Sequence, residues 1–260
     1  MNHSFIDEHS HIDSFLNRLD ARTKIISFFT LILFIILSRP DAYFGFALYT
    51  LLLIILIIFS QIPLSYILKR CLVVLPFILM TSALLPFGQQ GESIVLMKVG
   101  DMSIRVAAAG WLIFKGVLIK GVLSIICLTL LTASTPFSEL LAALEALKCP
   151  KIITMILSFM YRYVFLIEDE AMKMRRAMKS RSAGHSRWLQ LKAIANMIGV
   201  LFIRSYERGE TVYLAMCSRG FDGTIKRDHS FDFKKTDYAF ATNLFVILIG
   251  IKFLDNIFGR

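Results

Sequence analysis

Residues 42–59 read AYFGFALYTLLLIILIIF, eighteen consecutive positions without a charge. At about 1.5 Å per residue a helix of that length reaches about 27 Å, close to the roughly 30 Å of a bilayer's hydrocarbon core. Similar apolar segments lie on either side, at about 24–38, 67–87, 108–134 and 238–257. The 260-residue chain as a whole is 56% hydrophobic, holds 22 Phe and is only 18% charged. Its mean hydropathy is +0.65. Soluble domains run nearer 45–50% apolar and about 25% charged, so much of this apolar surface must take a membrane as its solvent. Ordinary soluble, secreted, fibrous and disordered classes are excluded together. The net charge of +10 fits either a nucleic-acid binder or a membrane protein with basic cytoplasmic loops, and the placement of the charges decides.

The first apolar run, Ile25–Leu37, is 13 residues long and follows a polar, charged stretch that includes Asp7, Glu8, Asp13, Arg18, Asp20, Arg22 and Lys24. A secretory signal begins earlier, and no small-x-small cleavage pattern follows Leu37, so an uncleaved, short span is expected. Basic residues mark the cytoplasmic ends: Arg18, Arg22 and Lys24 before the first span, Lys69 and Arg70 opening the third, Lys148 and Lys151 after the fourth. A sixth apolar candidate, 152–167, would export residues 171–206, which carry eight basic side chains and no acidic one. Positive-inside bias forbids that. The expected architecture is an all-α integral membrane protein with about five transmembrane helices and a cytoplasmic or interfacial domain of long amphipathic helices. Residues 1–134 form the lead-in and first four spans, 135–236 the cytoplasmic domain, and 237–260 the last span, with the N-terminus inside and the C-terminus outside. Lys115 and Lys120, near the outer end of the fourth span, read as snorkelling side chains in preference to a substrate path.

Thr135-Pro136 signals a helix start, followed by an apolar stripe of Phe137, Leu140, Leu141, Leu144 and Leu147 at helical spacing. Cys149-Pro150 breaks it and offers a new beginning. From Lys151 to about Ser182 a second helix carries Met160, Val164, Ile167, Ala171, Met174 and Met178 at steps of four and three. It ends in Ser180-Arg181-Ser182 ahead of Gly184. A third, from about Trp188 to Ser218, ends in Ser218-Arg219-Gly220. Two helices thus finish in Ser-Arg-small. A guanidinium flanked by small residues at a helix tip can enter a groove on another protein and meet a carboxylate in a bidentate pair. The same arginines also suit the negative end of the helix dipole and phospholipid headgroups, and spacing leaves both readings open.

These residues resemble the transmembrane coupling component, or T component, of energy-coupling-factor transporters, in the cobalt/nickel branch called CbiQ or NikQ. The stretch Asp13–Lys24 is similar to the family's Leu-Asp-Pro-Arg-x-Lys lead into the first span, with Ala21 at the usual proline. The paired tips resemble its Ala-Arg-Ser and Ala-Arg-Gly signatures, with Ser180 and Ser218 in place of alanine, and Ala215–Phe221 matches the second well. Thr132–Pro150 resembles the first cytoplasmic helix. The resemblance implies a noncatalytic subunit of an importer in a bacterial or archaeal cytoplasmic membrane. It would link two ATP-binding cassette ATPase subunits to a substrate-binding membrane component of cobalt/nickel type. Ser180, Arg181, Ser182, Ser218, Arg219 and Gly220 would form the ATPase-coupling tips, and closure of the ATPase pair would move the two long helices. A vitamin-type substrate is the alternative within the family.

Other chemistries find no residues to carry them. There is no Gly-x-x-x-x-Gly-Lys-Ser/Thr loop, so ATP must be bound elsewhere, and Gly220-Phe221-Asp222-Gly223 reads as a helix exit. No Gly-x-Ser-x-Gly, His-Glu-x-x-His or EF-hand pattern is present. Cys71, Cys127, Cys149 and Cys217 lie far apart and read as small hydrophobes. His3, His9 and His11 read as a solvated terminus and His185 and His229 as solvated linker residues, so neither cofactor nor bound metal is expected. Membrane lipid is an expected contact and nucleic acid is not. A lipid-modifying membrane enzyme would need titratable groups clustered at one face, where the spans offer only Lys115 and Lys120. A polybasic scaffold is the remaining class.

Overall fold

The computed structural model describes residues 16–17, 19–41, 43–83, 93–99, 102–181, 187–223 and 235–258. Ser182, Gly184 and all five histidines lie outside them. The elements are α1 (Ala21–Leu37), α2 (Tyr43–Ser60), α3 (Leu64–Ala83), β1 (Ser93–Val99), β2 (Met102–Ala107), α4 (Ala108–Ser134), α5 (Phe137–Ala146), α6 (Lys151–Arg181), α7 (Arg187–Ser218) and α8 (Lys235–Phe258). Among the described residues the architecture is the expected all-α one, apart from an antiparallel hairpin of β1 and β2. That hairpin carries a register shift between Val95 and Met97. The residues fall into two compact units, one within Leu144–His229 and one within Ser4–Ala143 together with Ser230–Arg260.

In the second of these units, four of the described helices are long and apolar enough to cross a membrane: Tyr43–Ser60, Leu64–Ala83, Gly110–Ser134 and Lys235–Asp255. The outward side chains suit lipid. On α3 only Ile67 and Ser82 are buried, while Leu72 and Val73 are 73% and 75% exposed, a surface that water would not tolerate over such an area. Helix α1, expected as a further span, has 17 residues and so reaches about 25 Å. It begins with Asp20 as N-cap, whose side chain accepts from the Arg22 backbone N–H at 2.9 Å. Ser38 ends it in extended backbone ahead of Pro40. Phe28, Leu31 and Ile35 lie on its buried face. Helix α4 packs against α1, α2 and α3, and α8 against α1 and α2. Small residues permit close approach: a Cβ added at Gly116 would stand 2.9 Å from Pro40 Cβ, and one at Gly45 would stand 3.0 Å from an Asp255 carboxylate oxygen.

Helices α1 and α4 run antiparallel and exchange lysines. Lys24, in the first turn of α1, donates from Nζ to the carbonyl of Ser134 at the end of α4 (3.1 Å) and to that of Asn17 (3.3 Å). Lys120 of α4 donates to the carbonyls of Ile36 and Ser38 at the end of α1. Each lysine therefore supplies donors and positive charge where a helix C-terminus leaves carbonyls without intrahelical partners. The sequence reading took Lys24 as one of the basic residues marking a cytoplasmic end; here it is fully buried. Lys120 turns from snorkelling to capping, whereas Lys115 lies over the Trp111 ring at 5.5 Å.

In the unit within Leu144–His229, α6 and α7 pack against each other. Segment 152–167 lies inside the 31-residue α6, which is not among the described helices long and apolar enough to cross. Arg162 inside the segment, with Lys151 before it and Glu168 and Asp169 after it, explains why. Helix α5 closes with Cys149 N–H donating to Leu144 O (3.1 Å) and Lys148 N–H to Glu145 O (3.1 Å), the two bonds of a Schellman end. Lys148 occupies the left-handed position at φ 67°, where glycine is usual.

Candidate functional site

Both arginine tips lie in the same compact unit. Helix α6 has Arg181 as its last residue, and Ser180 Oγ donates to the Ala177 carbonyl at 2.9 Å. Helix α7 ends at Ser218, whose Oγ donates to the Ala215 carbonyl, also at 2.9 Å. Each serine hydroxyl is thus turned back onto the last turn of its own helix. Arg181 and Arg219 are both exposed.

The second tip has a fully described cap. Gly220 takes φ +79°, its N–H donates to Cys217 O at 3.0 Å, and Phe221 N–H donates to Met216 O at 3.1 Å. This is a Schellman end with Gly220 at the left-handed position and Arg219 immediately before it. The geometry requires a residue tolerant of positive φ, which accounts for glycine after the arginine. No Cβ contact would obstruct a side chain at Gly220, so backbone conformation alone sets the requirement. Next to the tip, hydrogen bonding to Cys217 holds the Tyr213 phenol above its ordinary pKa, and it stays protonated at neutral pH.

Behind the tips, α6 and α7 enclose a groove of about 1160 Å³. Met160, Val164 and Ile167 of the expected stripe line it from α6, and Val212 and Met216 from α7. Phe221, past the cap, lines the same groove and so ties the second tip to it. An Arg204–Glu170 ion pair bridges the two helices there. Of the six expected tip residues, five are described at helix ends and Ser182 lies outside the described residues. Among the described residues no group of three or more His, Cys, Asp or Glu is placed to hold a metal ion, and all four cysteines are free thiols.

The fold and these ends define a multi-pass membrane protein that carries two long, arginine-tipped helices on a unit of their own. The CbiQ family model, described as cobalt transport protein, matches residues 13–230. Similar proteins include an uncharacterized protein of Methanocaldococcus jannaschii, 27% identical over 249 residues that cover 94% of this chain and 84% of that one. The energy-coupling factor transporter transmembrane protein EcfT of Ruminiclostridium cellulolyticum is 30% identical over 228 residues, covering 82% and 83%. EcfT of Listeria innocua is 27% identical over 252 residues, covering 92% and 91%. The chain belongs to the CbiQ cobalt transport protein family, the EcfT/CbiQ type of transmembrane component of energy-coupling-factor transporters, and is a multi-pass protein of the cell membrane.

Proposed function

We propose that this chain is a noncatalytic coupling subunit, joining two ATP-binding cassette ATPase subunits to a substrate-binding membrane component that takes up cobalt or nickel ions. The observation that carries the reading is the pair of helix ends, each with an exposed arginine preceded by a serine bonded back to the carbonyl three residues earlier. Arg181 and Arg219 are the handles on the ATPases. Ser180, Ser182, Ser218 and Gly220 keep each tip narrow, so that a guanidinium enters a groove and pairs bidentately with a carboxylate. Nucleotide-driven closure of the ATPases moves α6 and α7, and the substrate-binding component responds to that movement. The chain's division into a membrane part (1–134 and 237–260) and a cytoplasmic part (135–236) follows from the same topology.

Copurification tests this. The Arg181→Ala/Arg219→Ala double variant is expected to lose the ATPases in mild detergent and to lose uptake, while each single variant retains part of both. Full assembly and uptake in the double variant would contradict the docking role. The family description as cobalt transport protein favours a transition-metal substrate, whereas the EcfT relatives, whose names carry no metal, favour a vitamin-type substrate as the second reading. Uptake of labelled cobalt or nickel by the assembled complex separates the two.

A further inference from the structure

Two covalent connections lead to the unit within Leu144–His229: one leaves α4 through α5, and the other returns into α8. Both are rooted at the same point. The carbonyl of Ser134, the last residue of α4, accepts from Lys24 Nζ at 3.1 Å, and the Lys24 side chain is fully buried. Asp237, in the first turn of α8 and 1% exposed, accepts from the Asp20 backbone N–H at 3.0 Å through its carboxylate Oδ1. Asp20 is the N-cap of α1 and Lys24 lies one turn beyond it, so a single turn of α1 grips the exit of α4 and the entry of α8. Glu139 of α5, Asp20 and Asp237 supply the negative field around the ammonium. Lys24 also donates to Asn17 O at 3.3 Å, which fastens the lead-in to the same point.

A buried cation held in this way tolerates little displacement, because every ångström it moves from its carbonyls leaves charge without compensation in a low-dielectric site. Loops at these roots would absorb a movement of the long helices. We propose that Lys24 is a positioning residue for transport, fixing the roots of both connections so that motion of α6 and α7 reaches the membrane helices through the first turn of α1. The proposal rests on the coupling role argued above.

The test uses the full complex with its ATPases in liposomes, reading substrate transported per ATP hydrolysed together with ATPase copurification. Lys24→Met is expected to keep the ATPases bound but to lower transport per ATP by roughly tenfold. Lys24→Arg, which retains a cation at the node, is expected to restore part of the ratio. Because Lys24→Met leaves carboxylates without their cation, the Lys24→Met/Asp237→Asn double variant is made alongside it. The amide oxygen can still accept from Asp20 N–H, and the double variant is expected to recover folded yield without recovering the ratio. A wild-type ratio in either folded variant overturns the proposal. Loss of the ATPases themselves from Lys24→Met would also overturn it. Failure of the Arg181→Ala/Arg219→Ala variant to release the ATPases would instead break the coupling reading on which it rests.

Discussion

The two units of this molecule are built on opposite principles. In the membrane unit Leu31, Ile35, Leu130 and Leu248 are fully buried, and α1 and α4 cap each other's C-termini with lysines. In the other unit Thr154 is the single buried residue of α6, and α7 has none among those described. Met160 and Val164, on the shared groove, are 56% and 47% exposed. A helix of 31 or 32 residues gains little from its own neighbour when so little is buried, so its conformation is open to whatever else it touches. Burial is deep among the membrane helices and shallow along α6 and α7. That division suits the coupling role proposed above.

The sharpest way to break this contrast is to delete side-chain volume in both regions. Leu130→Ala, in the fully buried seam of α4, is expected to cost about 2–3 kcal/mol. That is the low end of the range for such changes, since lipid already supplies an apolar solvent and chiefly the cavity is lost. Val164→Ala, on the groove, is expected to cost less than about 1 kcal/mol. Unfolding in detergent micelles measures both, and equal losses would mean that the α6–α7 unit is as tightly packed as the membrane helices.

A smaller effect is expected at the second tip. Gly220→Ala places a Cβ at φ +79°, which costs about 1–2 kcal/mol locally. The effect should appear as fraying of the last turn of α7 in hydrogen exchange and as weaker ATPase copurification. Unchanged exchange at Met216–Arg219 would show that the Schellman end does not depend on glycine. The smallest effect should be a gain: Lys148→Gly relieves a left-handed lysine at φ 67° and is expected to stabilise the end of α5 by about 0.5–1 kcal/mol. A loss there would mean that the Lys148 side chain makes contacts worth more than the strain.

Much of this was legible in the residues. Residues 42–59 announce a span by length and lack of charge, and α6 and α7 end within a residue of where the Ser-Arg pairs put them, because local chemistry alone dictates a cap. Three features were not legible. Lys24 reads as one more basic residue before a span, and only the long-range meeting with Ser134, 110 positions away, makes it a buried clasp. Lys120 likewise depends on the end of α1. The hairpin of β1 and β2 lies between the third and fourth apolar segments, where the sequence reading assigned no element. Its signal was the Gly100-Asp101 dipeptide between two short runs of β-branched and apolar residues. The tip arginines themselves stood out only through their repetition, since one arginine near a helix end is commonplace.

The central claim is that an ATPase grips each arginine tip. Placing a photocrosslinking amino acid at position 177, and separately at position 215, one turn before each arginine and leaving both arginines in place, in cells carrying the whole transporter tests it most directly. The account predicts that each position forms an adduct with an ATPase subunit. Adducts with lipid alone at both positions, with no ATPase product, would contradict it.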